Sequence, residues 1–360
     1  MLSHILGIES SCDETAAAVI KDGKVVLSNV VASQIEVHKE FGGVVPELAS
    51  RKHVEAIIPV IEEALHNAQV ELTDIDGIAV TQGPGLIGSL MVGVSTAKAI
   101  SYALGIPLIG VDHLEAHISA IHLEHEVEFP LIGLVVSGGH TSLYLVKGYT
   151  EFELLGKTRD DAAGEAFDKA AKLLGLSYPG GAEIDRVAKE GNPGAISFPR
   201  PFIKSSSFDF SFSGIKTALV YYLKKNPDLG EDKLKDICAS YQEAIVETLV
   251  EKTLDAAKLK GVSSVVIAGG VACNSRLREL GKNRFLDEEI SLFIPSPKYC
   301  TDNAAMIGAL GFYKLREGER SELDLTSYST SRPKYVRGRG LTISQGRIEN
   351  EQRIENEGQI

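Results

Sequence analysis

The chain has 360 residues, of which 44% are hydrophobic and 24% are charged, and its formal net charge at pH 7 is −12. The length predicts about two domains with substantial cores. The acidic balance argues against autonomous, non-specific binding of nucleic acid, although a local basic patch or a partner protein could still hold a nucleic-acid substrate.

The four cysteines are scattered along the chain and form no CxxC pair, which is typical of a reducing compartment and excludes a thiolate metal site. The first residues lack the basic and apolar regions of a signal peptide. No uninterrupted apolar segment of membrane-spanning length is evident. We therefore expect a cytoplasmic protein with no membrane partner.

Two segments share the pattern strand, polar turn, strand, glycine turn, strand: residues 5–31 and residues 131–155. Such duplication predicts two similar α/β lobes that face each other across a cleft. We place the first lobe at residues 1–128 and the second at residues 129–302. A helix at about 303–325 is expected to pack back on the first lobe.

Apolar spacing predicts a long amphipathic helix at residues 45–67, a strand at 77–80 and a glycine-rich turn at 81–89. This turn could approach a ligand closely, or it could serve tight packing alone. Further along, we predict helices at 160–174, 236–259 and 303–315, a helix that restarts near 182 and carries Asp185, and strands at 264–268 and 290–294. Residues 332–360 contain a near-repeat and little apolar content, so we expect a disordered tail.

His113 and His117 lie four residues apart where a buried strand leads into a helix, a spacing that stacks two imidazoles on one helix face. Such a pair can share a metal ion, although most HxxxH pairs are ordinary surface or core residues. Glu115 is rotated about 200° from His113, so the peptidase arrangement is not met. Asp302 is the best candidate for a third ligand, and its alternative interpretation is a helix N-cap. His122 and His125, with acidic neighbours, are interpreted as solvated.

Three strand-exit turns, at residues 10–15, 136–141 and 269–274, contain glycine or small polar residues whose backbone N–H groups could cradle phosphate. Together they favour a nucleotide in the cleft, and no Walker A sequence occurs. Asp13 and Glu14 offer carboxylates in the first turn, and His140 could donate a hydrogen bond from the second. Asp168 and Asp185 lie on helices beside it, where each could instead be a solvated charge.

These motifs together resemble the TsaD (Gcp/YgjD) family of bacterial tRNA N6-adenosine threonylcarbamoyltransferases. The resemblance covers about residues 3–330 in order. It is carried by residues 6–15, 43–51, 81–85, 113–117, 136–141, 164–169, 178–181, 210–214, 269–271, 274 and 300–305.

The resemblance implies the ASKHA fold, the fold of actin, Hsp70 and sugar kinases. It implies that His113, His117 and Asp302 bind one divalent ion, Fe²⁺ or alternatively Zn²⁺. It also implies that the donor, threonylcarbamoyl-AMP, is contacted by a set of second-lobe residues, with ATP or ADP as other occupants of the cleft. That set is Val136, Ser137, Gly138, Gly139, His140, Asp168, Gly181, Asp185 and Asn274.

The family transfers the threonylcarbamoyl group to N6 of adenosine 37 in tRNAs that read ANN codons. It works with TsaB and TsaE, and a separate synthase supplies the adenylate. In that chemistry Asp13 or Glu14 could take the proton of the attacking amine. Candidate basic contacts for tRNA are residues 51–53, Lys204, Lys216 and residues 224–225.

Two other hypotheses remain open from the sequence. The HxxxH pair supports a metallopeptidase, against which Glu115 argues. A non-catalytic nucleotide switch or ATPase is compatible with an ASKHA fold, but it would not need the His/His/Asp set.

Overall fold

The structure is a computed structural model that describes residues 2–201, 207–227 and 230–330. The predicted tail at 332–360 and the candidate tRNA contact Lys204 lie outside the described residues.

The first lobe is built on a five-stranded mixed sheet. Its central strand, β1 (His4–Glu9), pairs antiparallel with β2 (Glu14–Lys21), which pairs antiparallel with β3 (Val25–Ser33). On its other side β1 runs parallel to β4 (Gly77–Gly83), and β4 runs parallel to β5 (Leu108–Asp112). The order is therefore β3-β2-β1-β4-β5.

The second lobe repeats this topology. Its strands are β6 (Leu131–Val136), β7 (Thr141–Val146), β8 (Phe152–Lys157), β9 (Ser264–Ala268) and β10 (Ser291–Phe293). They lie in the order β10-β9-β6-β7-β8, so β6 takes the place of β1. The predicted duplication into two α/β lobes is confirmed.

The helices cover and join the two sheets. In chain order they are α1 (Ile35–Lys39), α2 (Pro46–Ala68), α3 (Ile87–Leu104), α4 (His113–Ser119), α5 (Ala163–Leu173), α6 (Gly180–Ala188), α7 (Ser213–Lys225), α8 (Glu231–Lys260), α9 (Ser275–Leu286), α10 (Pro297–Cys300) and α11 (Ala304–Arg316).

The buried apolar residues form three clusters. One fills the second lobe around α5 and α8, and another lies between the first sheet and helices α2 and α3. The third lies between the two sheets and contains residues of α4 and α11 together with strands from both lobes. Because α4 and α11 belong to this shared core, side chains at their N-terminal ends lie where the lobes meet.

One helix within the described residues, α3, is long and apolar enough to cross a membrane by length and composition alone. The sequence expectation of no such segment therefore has this single exception. A core helix passes the same test, and α3 packs against α2 and β4.

Candidate active site

The end of β5 explains why the histidines stand where they do. Asp112 caps α4, and its carboxylate accepts hydrogen bonds from the backbone N–H groups of Leu114 at 2.9 Å and Glu115 at 3.2 Å. This cap starts the helix at His113. His113 and His117 then lie one turn apart, with ring centroids 4.6 Å from each other and planes at 80°.

Asp302 reaches both imidazoles. Its Oδ1 atom lies 3.1 Å from His117 Nε2 and 3.5 Å from His113 Nε2. The N-cap of α11 is Asn303, whose side chain accepts from Met306 N at 3.1 Å, so the N-cap interpretation of Asp302 is wrong. One potential ligand atom from each of the three side chains lies within 4.8 Å of the others.

The electrostatics of this group are those of a closely coupled cluster. Burial opposes ionisation of Asp302, but His113 and His117 outweigh it and hold the pKa of its carboxyl well below the usual range. Burial also opposes charging of His113, yet Glu9 and Asp302 keep its pKa well above the usual value. Burial and the neighbouring His113 lower the pKa of His117. The carboxylates of Glu9 and Asp302 therefore stabilise positive charge between them.

The donor set fits a divalent metal ion. Two imidazoles and one carboxylate are typical ligands of Zn²⁺ and of non-haem Fe²⁺ at sites that keep open positions. Both ring nitrogens of His113 face a carboxylate, because Glu9 Oε2 lies 2.9 Å from Nδ1 and Asp302 Oδ1 lies 3.5 Å from Nε2. His117 Nδ1 is buried and has no hydrogen-bond partner among the described residues.

Glu115 and His122, two neighbours of the His/His/Asp cluster, do not lie where the sequence interpretations required them. Glu115 is buried on α4 and does not belong to the cluster of His113, His117 and Asp302. Its position therefore does not support a role as the general base of a peptidase. His122, interpreted as solvated, is instead buried against Phe129 and Tyr149. Burial lowers the pKa of His122 to about 4. His125 is exposed as expected.

The turn after β6 is open toward the cleft. Ser137 N donates to His140 O at 2.8 Å, and His140 N donates to Ser137 Oγ at 3.2 Å, which closes the turn. Apart from each glycine and its two chain neighbours, no atom of the described residues lies within 4 Å of the positions that Cβ atoms at Gly138 and Gly139 would occupy. Gly164 N, in the first turn of α5, donates to Ser137 O at 3.2 Å. Burial lowers the pKa of His140 to about 4, so its imidazole is neutral at pH 7.

The remaining residues that were predicted to contact the nucleotide-linked substrate lie along one rim of the second lobe. Asp168 Oδ1 accepts from Gly180 N at 2.8 Å, next to Gly181, and burial raises the pKa of Asp168. Asp185 accepts from Ser275 Oγ at 2.7 Å.

Asn274 caps α9 at the end of this rim. Its Oδ1 accepts from Leu277 N at 3.0 Å, and its Nδ2 donates to Gln242 Oε1 at 2.7 Å. The Gly269 turn closes the rim against Val136, because a Cβ at Gly269 would lie 2.8 Å from the Val136 carbonyl carbon.

Asp13 and Glu14 belong to the first lobe, where Asp13 ends the turn after β1 and Glu14 begins β2. Burial, with the negative charges of Asp302 and Asp13, raises the pKa of Glu14 to about 10. Across the cleft, burial and the charge of Asp13 raise the pKa of Tyr178. The two carboxylates therefore lie close to the candidate metal ligand and close to the second lobe.

Sequence reasoning missed Glu9 and Tyr178 as site residues. Glu9 offered a signal, since it is a carboxylate that ends an apolar strand. Tyr178 was visible only as part of a turn.

The glycine-rich turn between β4 and α3 serves packing. Its glycines at 83, 85 and 88 have the spacing G-x-G-x-x-G, which elsewhere marks dinucleotide binding. Here a Cβ at Gly85 would lie 2.8 Å from Ser11 Cβ, and one at Gly83 would lie 2.8 Å from the Tyr328 ring. The space beside these glycines is already filled by protein.

One predicted basic contact is wrong. His53 is buried, and its ring nitrogens lie 2.7 Å from Thr15 Oγ1 and 2.9 Å from Cys12 O. It therefore holds the turn that carries Asp13 and is not available to a polyanion.

Fold and site together define a two-lobed α/β protein of the ASKHA type with a His/His/Asp cluster between its lobes. Solved structures support the fold. Full-length HypF in its phosphate- and nucleotide-bound form aligns with a TM-score of 0.60 at 14% identity, over 87% of this chain and 46% of that one. The activator of 2-hydroxyisocaproyl-CoA dehydratase from Clostridium difficile, with bound ADPNP, aligns with a TM-score of 0.52 at 15% identity, over 88% of this chain and 96% of that one.

Sequence relatives identify the family. A family model described as TsaD, tRNA N6-adenosine threonylcarbamoyltransferase, matches residues 25–309. A protein of that name from Syntrophus aciditrophicus is 60% identical over 328 residues, covering 90% of this chain and 96% of the relative. One from Geotalea uraniireducens is 59% identical over 322 residues, covering 89% and 94%. The chain belongs to the TsaD family of tRNA N6-adenosine threonylcarbamoyltransferases and is a tRNA-modifying transferase.

Proposed function

We propose that this protein transfers the threonylcarbamoyl group from threonylcarbamoyl-AMP to N6 of adenosine 37 in tRNAs that read ANN codons, which forms t6A. The convergence of His113, His117 and Asp302 between two duplicated lobes, in a member of this family, carries the proposal.

We propose that His113, His117 and Asp302 hold one divalent ion, Fe²⁺ or alternatively Zn²⁺. When bound, such an ion supplies Lewis-acid stabilisation of negative charge on donor oxygens. The three side chains do not need to rearrange far, because their ligand atoms already lie within 4.8 Å of one another.

The second lobe would hold the adenylate. The Val136–His140 turn has room beside Gly138 and Gly139 for phosphate oxygens, and backbone N–H groups in such a turn can stabilise them. His140 would donate a hydrogen bond as a neutral imidazole and add no positive charge. Gly181, Asp185, Asp168 and Asn274 would contact the nucleoside along the rim.

The first lobe would handle the proton. An exocyclic adenine amine is a weak nucleophile, so it needs an activated acyl donor and a base. The adenosine N6 atom bonds to the carbamoyl carbon, the bond from that carbon to the AMP phosphate oxygen breaks, and AMP leaves. The N6 proton would pass to the Asp13/Glu14 pair. Because the pKa of Glu14 is raised to about 10, Glu14 already carries a proton at pH 7, so Asp13 would be the member of the pair that accepts the N6 proton.

We further propose the cellular setting that the family implies. The chain would act in the cytoplasm with TsaB and TsaE, and a separate synthase would supply the adenylate. The working units would be a first lobe at residues 1–128 and a second lobe at residues 129–302. The first lobe would be completed by α11, which ends at Arg316 and not near residue 325 as expected from the sequence.

The direct test is mass spectrometry of tRNA nucleosides after incubation with threonylcarbamoyl-AMP, with and without the two partner proteins. We expect t6A to appear only in tRNAs with adenosine 37 and ANN-reading anticodons. A parallel incubation with defined peptides should yield no cleavage. Nucleotide turnover without any t6A, with partners and metal supplied, would support the ATPase alternative instead.

A further inference from the structure

Glu9 is the last residue of β1 and is fully buried, which is unusual for a carboxylate in an apolar strand. Its Oε2 atom accepts from Thr81 Oγ1 at 2.6 Å and lies 2.9 Å from His113 Nδ1. Its Oε1 atom accepts from the backbone N–H of Ser11. The carboxylate is thus fixed from both sides and oriented toward one imidazole.

We propose that Glu9 is a positioning residue that fixes the tautomer and ring orientation of His113 for metal binding. A hydrogen on Nδ1 that is donated to Glu9 leaves the lone pair on Nε2, the nitrogen that faces Asp302 at 3.5 Å. This inference rests on the proposed metal site, and it assigns to Glu9 a role that the ligands themselves do not fill.

The chemistry of the contacts requires a carboxylate. Ser11 N donates to Oε1 of Glu9 and Thr81 Oγ1 donates to Oε2, so the group there must be an acceptor at both atoms, and His113 Nδ1 lies beside Oε2. In Glu9→Gln, an amide oxygen placed toward His113 would direct the amide NH₂ at the N–H of Ser11. The opposite orientation would direct the NH₂ at His113 Nδ1 and favour a hydrogen on Nε2, which removes the ligating lone pair.

The two histidines differ in this respect. His117 Nδ1 has no hydrogen-bond partner among the described residues, whereas His113 is held at both nitrogens. Glu9 therefore acts on one ligand alone. A carboxylate on the far nitrogen of a metal-bound imidazole typically changes metal affinity by 10–100-fold.

The first experiment compares Zn²⁺ affinity in wild type, Glu9→Gln and a control, by competition with a chromogenic chelator. The control is Glu251→Gln, which makes the same substitution at a glutamate paired with Arg284 in the second lobe. We expect about a 10–100-fold loss of affinity for Glu9→Gln and less than twofold for the control. The visible absorption of bound Co²⁺ should also change for Glu9→Gln alone. Wild-type affinity and an unaltered Co²⁺ spectrum in a folded Glu9→Gln protein would overturn the proposal.

A second measurement does not depend on whether that variant folds. Long-range ¹H–¹⁵N correlation spectra of Zn²⁺-loaded wild type report which nitrogen of each histidine carries hydrogen, with His113 assigned by the signal lost in His113→Gln. We expect His113 protonated at Nδ1 and bound through Nε2. Coordination through Nδ1 of His113 would overturn the proposal.

The outcomes separate this inference from the proposed function. If wild type binds Zn²⁺ but forms no t6A with its partners, the proposed transfer fails and the role of Glu9 stands or falls on the affinity data. If wild type forms t6A and Glu9→Gln binds Zn²⁺ as tightly as wild type, only the inference fails.

Discussion

Three side chains from two distant parts of the chain meet between the lobes. His113 and His117 follow β5, and Asp302 precedes α11, which packs on the same sheet. From their positions in the sequence alone, the two histidines could have been an ordinary pair on one helix face, and Asp302 could have been the N-cap of α11. What excludes the second interpretation is Asn303, which supplies the cap and leaves the Asp302 carboxylate to the imidazoles.

We predict that His113→Ala, His117→Ala and Asp302→Ala each abolish stoichiometric metal and reduce transfer by about 100-fold or more, because each removes a ligand from a three-ligand site. Elemental analysis and t6A quantification measure the two effects, and the exposed His125→Ala is the control. The site assignment is wrong if purified wild type holds no stoichiometric metal and the triple variant still modifies tRNA.

We predict that Asp13→Asn and Glu14→Gln each slow transfer by about 10²-fold while metal content is retained. Because the two carboxylates interact, the double variant should be little slower than either single variant. Single-turnover t6A formation is the measurement, with the exposed Glu36→Gln as control. Effects that multiply in the double variant would show that the two residues act independently.

At the scale of elements, β1 and α11 approach each other closely enough to exclude side chains between them. A Cβ at Gly7 would lie 2.7 Å from Gly308 N and would also collide with Ala304 O. A Cβ at Gly308 would lie 2.6 Å from Ile20 Cγ1. This contact fixes the start of α11 against the first sheet and so fixes where Asp302 lies.

We predict that Gly7→Ala lowers the free energy of unfolding by about 3 kcal/mol, since backbone atoms must shift to accept the methyl group. Gly230→Ala is the matched control, because nothing among the described residues beyond its chain neighbours lies within 4 Å of its Cβ position. Urea unfolding followed by circular dichroism measures both. Equal midpoints for the two variants would contradict the close packing inferred here.

At the scale of the whole molecule, an acidic chain must act on a polyanion. The formal charge is −12, from 37 basic and 49 acidic side chains. Of the basic candidates, His53 is buried and Lys216 lies 3.7 Å from Asp161. Arg51 and Lys52 are paired with Glu47 and Glu55 on α2. Little positive charge at these four positions is left to attract tRNA, whereas Lys224 and Lys225 at the end of α7 are exposed.

We predict that the isolated chain binds tRNA weakly, with a Kd on the order of 10⁻⁵ M at physiological salt, and that affinity falls steeply between 50 and 200 mM salt. Fluorescence anisotropy with labelled tRNA measures both quantities, and the same titration with the partner proteins added is the comparison. Tight binding by the isolated chain that does not change with salt would contradict this expectation.

Much of this protein is readable from its sequence because local patterns determine it. The duplicated strand–turn–strand units predicted the two sheets, since alternation and turn residues act over a few positions. The HxxxH spacing alone placed His113 and His117 on one helix face. The ordered motifs of residues 3–330 predicted the family, which the sequence relatives confirm.

The tertiary structure decided the interactions between residues far apart in the chain. Asp302 lies 185 positions from His117, and no local pattern could choose between ligand and cap. The burial of His53 and His122 depends on elements that pack over them, which is why their sequence interpretations were wrong. Glu9 appeared in the sequence as part of a strand. Only the pairing of β1 with β4, and of β4 with β5, which leads into α4, brought its carboxylate to His113, because a hydrogen bond across 104 residues requires the folded sheet.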